Sequence, residues 1–329
     1  MDRPVYITAV GKYLPGEPVS NDEVEERLGK IGGRASRAKR RILESNGIVT
    51  RHYALDPERR PTHRNWELAA RAALDALSRS PAGLADVRYL AAATSQPDLL
   101  VPGFASMVHG ELKVPPCEIA SYAGVCASGV MALKGAWLNV RAGESDAAVV
   151  CASELASRHL KAGQFEEQAC TQDGTLPFEA EFLRWMLSDG AGAVVLQPEP
   201  APRGVSLRID WIEVRSFADR FPPCMWAGAL KGADGALGPS WGDWSSFVDA
   251  ARHGVFDLRQ DVRLLEELVK VGVDGFLDLA ERRGLALDGE RCPEGGAQRR
   301  PKAAVDWVLC HYSSNIYKGK IQWLLSKAG

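Results

Sequence analysis

The sequence predicts an α/β protein built from layers of parallel strands and helices, and three observations carry that prediction. Short apolar runs of strand length recur at residues 5–10, 87–94 and 147–152. Stretches with a 3.6-residue apolar period lie between them, at 62–78 and 103–112. The runs at 87–94 and 147–152 are nearly continuous in apolar residues, the pattern of a strand covered on both faces.

The elements follow in order. Residues 5–10 read as the first strand, closed by Gly11 and the Leu14-Pro15-Gly16 turn. Asn21 is placed to cap a short helix over 22–28, acidic in its first turn as the helix dipole favours. RASRAKRR at 34–41 holds five positive charges, either a solvated helix face or a docking patch for an acidic or phosphorylated partner. Residues 62–78 form an amphipathic helix through Trp66, Leu68, Ala69, Ala72, Ala73, Leu74 and Leu77, and residues 103–112 form a second. Residues 164–185 read as an irregular acidic and aromatic insertion, and 187–196 as a Gly/Ala-rich strand that ends a first half at 198. The second half, 199–329, restarts with a strand at 205–214. It continues through a Gly- and Trp-rich ordered loop at 221–246, a helix over 257–283 that can break near Gly272, and a polar loop at 289–300. A buried strand at 305–309 and a helix at 316–327 close it.

Composition narrows the class. The chain of 329 residues is 46% hydrophobic and 25% charged, ordinary for a globular protein large enough for a substantial core. Its net charge of −2 argues against nucleic acid as a bulk partner. No apolar run reaches membrane-spanning length, and the start of the chain lacks the layout of a signal peptide, so the expectation is a cytoplasmic protein with no membrane partner. Seven cysteines, at 117, 126, 151, 170, 224, 292 and 310, show no close pair or metal spacing, which reads as free thiols without zinc.

Two places carry chemistry. In SYAGVCASGVMALKGAWLNVR, at 121–141, Cys126 stands between a small-residue turn and an apolar helix. A helix N-terminus stabilises a thiolate, and a turn there aims backbone N–H groups at an oxyanion. The plain alternative is a small buried hydrophobe. The DGAGA segment beginning at Asp189 lacks a phosphate-loop lysine, so close packing beneath the cysteine explains its small residues better. His311, in CHYSSN, follows the strand 305–309 at the end where α/β sites collect; His52, His63, His109, His159 and His253 have no comparable setting.

VCASGVMAL, LSDGAGAVVL, ILESNGIVTRHYA and VDWVLCHYSSNIYKGKI, in their order along the chain, resemble the β-ketoacyl-acyl-carrier-protein synthase III family of thiolase-fold condensing enzymes. The resemblance implies a five-layer αβαβα sandwich of two similar halves, with Cys126 as nucleophile and His311 as catalytic histidine. It implies ping-pong chemistry: an acyl thioester loads Cys126, and malonyl-acyl-carrier protein then condenses with loss of carbon dioxide, needing neither metal nor redox cofactor. Asn315 closes the histidine loop. Where coenzyme A-primed members hold adenine with tryptophan and arginine, this chain has Arg41 and Ser45, so of the two implied primers, acyl-coenzyme A and acyl-acyl-carrier protein, the second gains weight. Val101, before Pro102, corresponds to a residue that reaches a partner subunit's acyl pocket, where its small size suits a longer or bulkier acyl group; plain packing is the alternative. The family is dimeric, and residues 147–151 are the expected homodimer interface.

The family's second site asparagine and closing strands lie beyond the histidine, so the sequence resembles a C-terminally truncated member whose second half is incomplete. The HYSS motif resembles specialised aryl-lipid or resorcinol ketosynthases. Two other readings stand beside condensation: an acyltransferase using Cys126 and His311 without decarboxylation, and a degenerate partner subunit of an active ketosynthase.

Overall fold

The computed structural model describes residues 3–166, 168, 176–286 and 303–326. The chain forms two compact units, neither continuous in sequence: Met1–Ala35, Thr50–Gly174 and Leu187–Arg220 make the first, and Ser36–Val49, Thr175–Met186 and Phe221–Gly329 the second. Residues 36–49 and 175–186 thus belong with the C-terminal unit, and 199–220 with the N-terminal one, whereas the sequence suggested a single division at 198. Elements run in the order β1 (Tyr6–Tyr13), β2 (Val19–Ser20), α1 (Val24–Leu28), α2 (Lys39–Asn46), β3 (Thr50–Arg51), α3 (Asn65–Ser78) and β4 (Tyr89–Ala93). They continue with α4 (Phe104–Leu112), β5 (Glu118–Tyr122), α5 (Ser128–Ala142), β6 (Ala148–Glu154), α6 (Ser157–Leu160), β7 (Gly190–Gln197) and β8 (Leu207–Arg208).

The first unit is built on a six-stranded sheet in the order β5-β4-β6-β7-β1-β8. β4 is parallel to both β5 and β6, as the alternation of strands and helices predicts. β7 departs from the parallel expectation. It is antiparallel to β6 and to β1, because the connection from β6 returns beside it without a crossover, and the sheet is therefore mixed. Side chains alternate across it. Leu90, Ala92, Val149, Cys151 and Val195 join the core with α3 and α4, while Ala91, Ala93, Ala148, Val150 and Leu196 join the core with α5. This is a helix–sheet–helix arrangement.

α3 buries Leu68, Ala69, Ala72, Ala73 and Ala76 completely, and each buried leucine contributes roughly 1.5–3 kcal/mol. It lies so close to β1 that a Cβ at Gly11 would fall 2.3 Å from the Ala72 carbonyl oxygen and from the Ala76 nitrogen. Gly11 is therefore a packing glycine inside β1 rather than the end of that strand. α3 begins at Asn65, three residues after the expected start, because Asp98 accepts the Asn65 N–H at 3.1 Å and the Trp66 N–H at 3.3 Å. Asn21 does not cap α1. The residue before that helix is Glu23, and the Asn21 side chain instead accepts a 2.6 Å hydrogen bond from the buried Arg51 guanidinium. The strand expected at 205–214 shrinks to the two residues of β8.

In the second unit, part of the expected irregular insertion is the helix Phe178–Arg184, which buries Ala180, Phe182 and Leu183 and leads to a fully buried Trp185. Within the Gly- and Trp-rich loop, Ala229–Lys231 pairs with Leu237–Ser240, and Met225–Trp226 pairs with Arg259–Gln260. The Lys231 amine donates to Asp261 and to the Pro223 carbonyl, both at 2.9 Å, and stands 4.8 Å from the Trp226 ring centroid. Hydrogen bonds from Arg263 and Lys231 hold the Asp261 carboxyl far below the usual carboxylate range. The long helix begins at Leu264, seven residues late because β-structure occupies Arg259–Gln260, and runs unbroken past Gly272 to Arg283. The polar loop at 289–300 and residue 327 lie outside the described residues. Residues 305–309 are not a strand: no ladder reaches them among the described residues, and Trp307 and Leu309 are 85% and 94% exposed.

Candidate active site

β5 delivers the chain into a tight turn, and Cys126 sits in its middle, within the single 3-10 turn Val125–Ala127 that runs straight into α5. This is the helix N-terminus that the sequence predicts. The Ala127 N–H donates to the Gly124 carbonyl at 3.1 Å, and the Ser128 hydroxyl to the Val125 carbonyl at 2.8 Å. Val125 has a φ of 51°, a left-handed conformation that costs a β-branched residue on the order of 1–3 kcal/mol. Strain of this kind persists only where surrounding packing fixes the turn, and that packing is present. A Cβ at Gly129 would approach the Ala152 Cβ at 3.4 Å, and one at Gly135 would lie 1.8 Å from the Tyr122 hydroxyl, so α5 presses on the sheet through its glycines.

The thiol is exposed to solvent, yet protein atoms crowd it closely enough to disfavour its charged form. That crowding pushes the Cys126 thiol above its ordinary value, the Glu154 carboxylate pushes it further, and only its own backbone N–H pulls the other way. In the resting chain the helix N-terminus therefore does not by itself make Cys126 a thiolate.

Glu154 ends β6. Its carboxylate accepts the Ser95 N–H at 2.6 Å and the Thr94 hydroxyl at 3.2 Å, and burial raises its pKa. Asn65, fully buried, donates to Thr94 at 2.8 Å. Arg158 on α6 donates to Asp98 at 2.5 Å in a nearly dry ion pair and to the carbonyls of Gln96 and Pro97, which fixes the loop after β4. Asp189, ahead of β7, accepts N–H groups from Ala54 at 2.7 Å and Ser157 at 2.8 Å, while burial raises it to about 6. The sequence reading passed over Glu154 and Asp98. The period-2 row Ala148, Val150, Ala152, Glu154 carries the signal that would have marked Glu154.

His311 belongs to the second unit, where it is exposed on the segment leading to the helix Ile316–Ser326. Two motifs distant in sequence meet there. The Ser314 hydroxyl donates to the Ser45 carbonyl at 2.8 Å, and the Asn315 N–H to the Asn46 carbonyl at 3.1 Å. Buried Asn46 in turn donates to the Trp185 carbonyl at 3.1 Å and accepts the Ile48 N–H at 2.8 Å. Gly47, at φ 71°, caps α2; a Cβ there would lie 1.9 Å from the Asn315 Nδ2. Asn315 thus ties the histidine segment to the end of α2. Beside His311 is an open cavity of about 660 Å³, lined by Val308, Cys310, Tyr312, Lys318, Ile321 and Leu325 among others. Arg41 is exposed on α2 with its guanidinium 5.7 Å from the Phe178 ring centroid.

Val101 is 81% exposed in the first unit, next to the equally exposed Leu100. The interface expected at 147–151 is not available. β6 is an inner strand, hydrogen-bonded to β4 and β7 and almost fully buried, whereas the edge strands of the sheet are β5 and the two-residue β8. Among the described residues, no group of three or more His, Cys, Asp or Glu side chains is arranged to hold a metal, and no helix is long and apolar enough to cross a membrane.

The N-terminal domain model of β-ketoacyl synthase matches residues 119–201, the stretch from β5 through β7. The β-ketoacyl-[acyl-carrier-protein] synthase III of Dinoroseobacter shibae is 29% identical over 208 residues, covering 63% of this chain and 56% of that relative. The chain thus spans little more than half the length of this curated relative. A tetronic acid condensing enzyme superimposes with a TM-score of 0.70 at 20% identity, covering 98% of this chain and 82% of that one. The 3-oxoacyl-(acyl carrier protein) synthase III of Pseudomonas aeruginosa PAO1 gives 0.58 at 21% identity, covering 85% and 71%. The priming β-ketosynthase of the R1128 polyketide pathway gives 0.57 at 20%, covering 86% and 70%. The fold is that of these condensing enzymes, and over residues 119–201 the chain is similar to the N-terminal domain of β-ketoacyl synthase.

Proposed function

We propose that the protein is an acyltransferase of the β-ketoacyl-acyl-carrier-protein synthase III type. An acyl thioester loads Cys126, and malonyl-acyl-carrier protein then condenses with it to a β-ketoacyl thioester. The observation that supports this most is the seat of Cys126 on a strained turn two residues ahead of the start of α5. The Cys126 backbone N–H is directed at its own sulfur, so in this reading it donates to the tetrahedral oxyanion of an attacked thioester carbonyl. In this reading the sulfur displaces the carrier thiol to form acyl-Cys126. His311 donates a hydrogen bond to the malonyl thioester carbonyl as carbon dioxide leaves, and the enolate attacks acyl-Cys126, returning the cysteine sulfur. Arg41, with Arg40 beside it on exposed α2, offers positive charge to an acidic carrier protein. A homodimer formed through the open edge of β5 belongs to the same reading.

Intact-mass spectrometry after incubation with acyl-coenzyme A and acyl-carrier-protein thioesters tests it. One acyl adduct on the wild type, absent in Cys126→Ala, followed by malonyl-dependent release of carbon dioxide, is the expected result. Acylation without decarboxylation would instead support plain acyl transfer. No adduct on folded protein would leave the role of a partner subunit.

A further inference from the structure

The parallel strands β4, β5 and β6 end on the same side of their sheet, and three chemically distinct groups follow those ends: the Thr94–Ser95 turn, the Cys126 turn and Glu154. β6 alternates strictly. Val149 and Cys151 point to the α3 core, while Ala148 and Val150 point to the α5 core with Ala152 packed against it. Glu154 is the next member of the row on the α5 face. Ala152, two residues before it, is the residue that meets the first turn of α5 at Gly129. The carboxylate is therefore carried to the level of the helix start, where Cys126 lies. Both of its oxygens are engaged, one by the Ser95 N–H and one by the Thr94 hydroxyl, which fixes the side chain.

The charged and titratable groups around Glu154 come from every neighbouring element. Cys126 precedes α5, Arg158 stands on α6 and is paired with Asp98, and Asp189 precedes Gly190, the β7 residue registered opposite Glu154. Arg158 gives hydrogen bonds to Asp98 and to the Gln96 and Pro97 carbonyls and reaches Glu154 as a nearby positive charge, whereas Cys126 meets Glu154 as a like charge that opposes its thiolate.

We propose that Glu154 is a positioning residue of the Cys126 site, whose carboxylate clamps the ends of β4 and β6 behind the cysteine turn and keeps the sulfur a thiol at neutral pH. Cys126 and Glu154 then titrate as a pair, and thiolate forms more readily whenever Glu154 is uncharged. The catalytic meaning of the pair rests on Cys126 being the acylated residue, but the pair itself is read without any acyl transfer.

The test is the pH dependence of iodoacetamide alkylation of Cys126 in the full chain, quantified on the Cys126 peptide so that exposed Cys310 does not contribute. Glu154→Gln should alkylate about threefold or more faster at pH 7, with its profile displaced to lower pH, because a like charge no longer opposes the thiolate. Glu154→Asp, which keeps the charge, should stay near the wild type. Superimposed wild-type and Glu154→Gln profiles at unchanged thermal stability would overturn the proposal. If Glu154→Gln does not fold, the wild type decides. As pH falls through the raised Glu154 titration, log rate should rise above the unit-slope line extended from higher pH, and a single unit-slope line throughout would overturn the pairing. Loss of alkylation control with normal acyl loading, or the reverse, separates failure of this proposal from failure of the condensing-enzyme reading.

Discussion

Gly47→Ala probes the junction on which the histidine segment is mounted. The substitution carries two separable penalties. At φ 71° an alanine enters the left-handed region, which costs about 1–2 kcal/mol. Its Cβ would also lie 1.9 Å from the Asn315 Nδ2 and 2.7 Å from the Asn315 Cγ, an overpacking that costs about 1–3 kcal/mol. Together they amount to about 2–5 kcal/mol, and part of the clash is relieved only by displacing Asn315 from the Asn46 carbonyl. Urea unfolding followed by tryptophan fluorescence measures the loss. In an Asn315→Ala background the backbone penalty should remain and the overpacking should largely vanish, giving a coupling between the two sites. A Gly47→Ala cost within about 0.5 kcal/mol of zero, typical of an indifferent surface site, would refute the juxtaposition of α2 with the histidine segment. So would a cost that is the same in both backgrounds.

Three further outcomes follow from the first unit. Gly135→Ala should destabilise by about 1–3 kcal/mol despite alanine's better helix propensity, because its Cβ would sit 1.8 Å from the Tyr122 hydroxyl; Tyr122→Phe should recover part of this in thermal unfolding. Asp98→Ala should cost about 3–5 kcal/mol, since it removes the acceptor at the start of α3 and strands the Arg158 charge, whereas Asp98→Asn, which keeps an acceptor, should cost less. Burial, with Arg158 beside it, depresses His159 to about 4. Its folded-state pKa lies below the unfolded value, so the unfolded chain gains the proton first and stability is lost as pH falls from about 6.5 towards 4. His159→Gln should flatten that part of the pH–stability curve, measured by urea midpoints between pH 7 and 5; an unchanged slope would contradict the neutral, Arg158-facing imidazole.

The sequence made the strands and helices of the first unit legible because their signals are local. Residues 87–94 and 147–152 are apolar enough to be buried on both faces, and α3 announces itself by period. Cys126 was legible for the same reason, since a small-residue turn followed by an apolar helix needs no distant partner to be recognised. What was missed depends on partners far along the chain. Asn21 has the chemistry of a helix cap, but Arg51, thirty residues on, takes its side-chain oxygen. Residues 175–186 look irregular because the helix Phe178–Arg184 is short, yet the segment contributes buried Phe182, Leu183 and Trp185 to a unit formed mainly after residue 220. The run at 305–309 is apolar enough for a strand, but apolarity does not create a ladder partner, and none is present among the described residues. The direction of β7 was hidden for a related reason: composition marks a strand as buried but not which way it runs.

The register of β6 deserves to be viewed as an assembly tolerance. The strand is bonded along its length to β4 on one side and β7 on the other, with Ala148 to Glu154 each matched to a named partner. A slip of a single residue would turn Glu154 to the α3 side and bring Ser153 to the cysteine. Two independent ladders forbid that slip, so the groups around Cys126 are set when the sheet closes, not adjusted afterwards by loops. Substitutions at Val149 or Val194, far from the sulfur and silent about chemistry, therefore belong to the same quality control as the cysteine turn itself, and a chain that folds with this sheet intact arrives with its site already gauged.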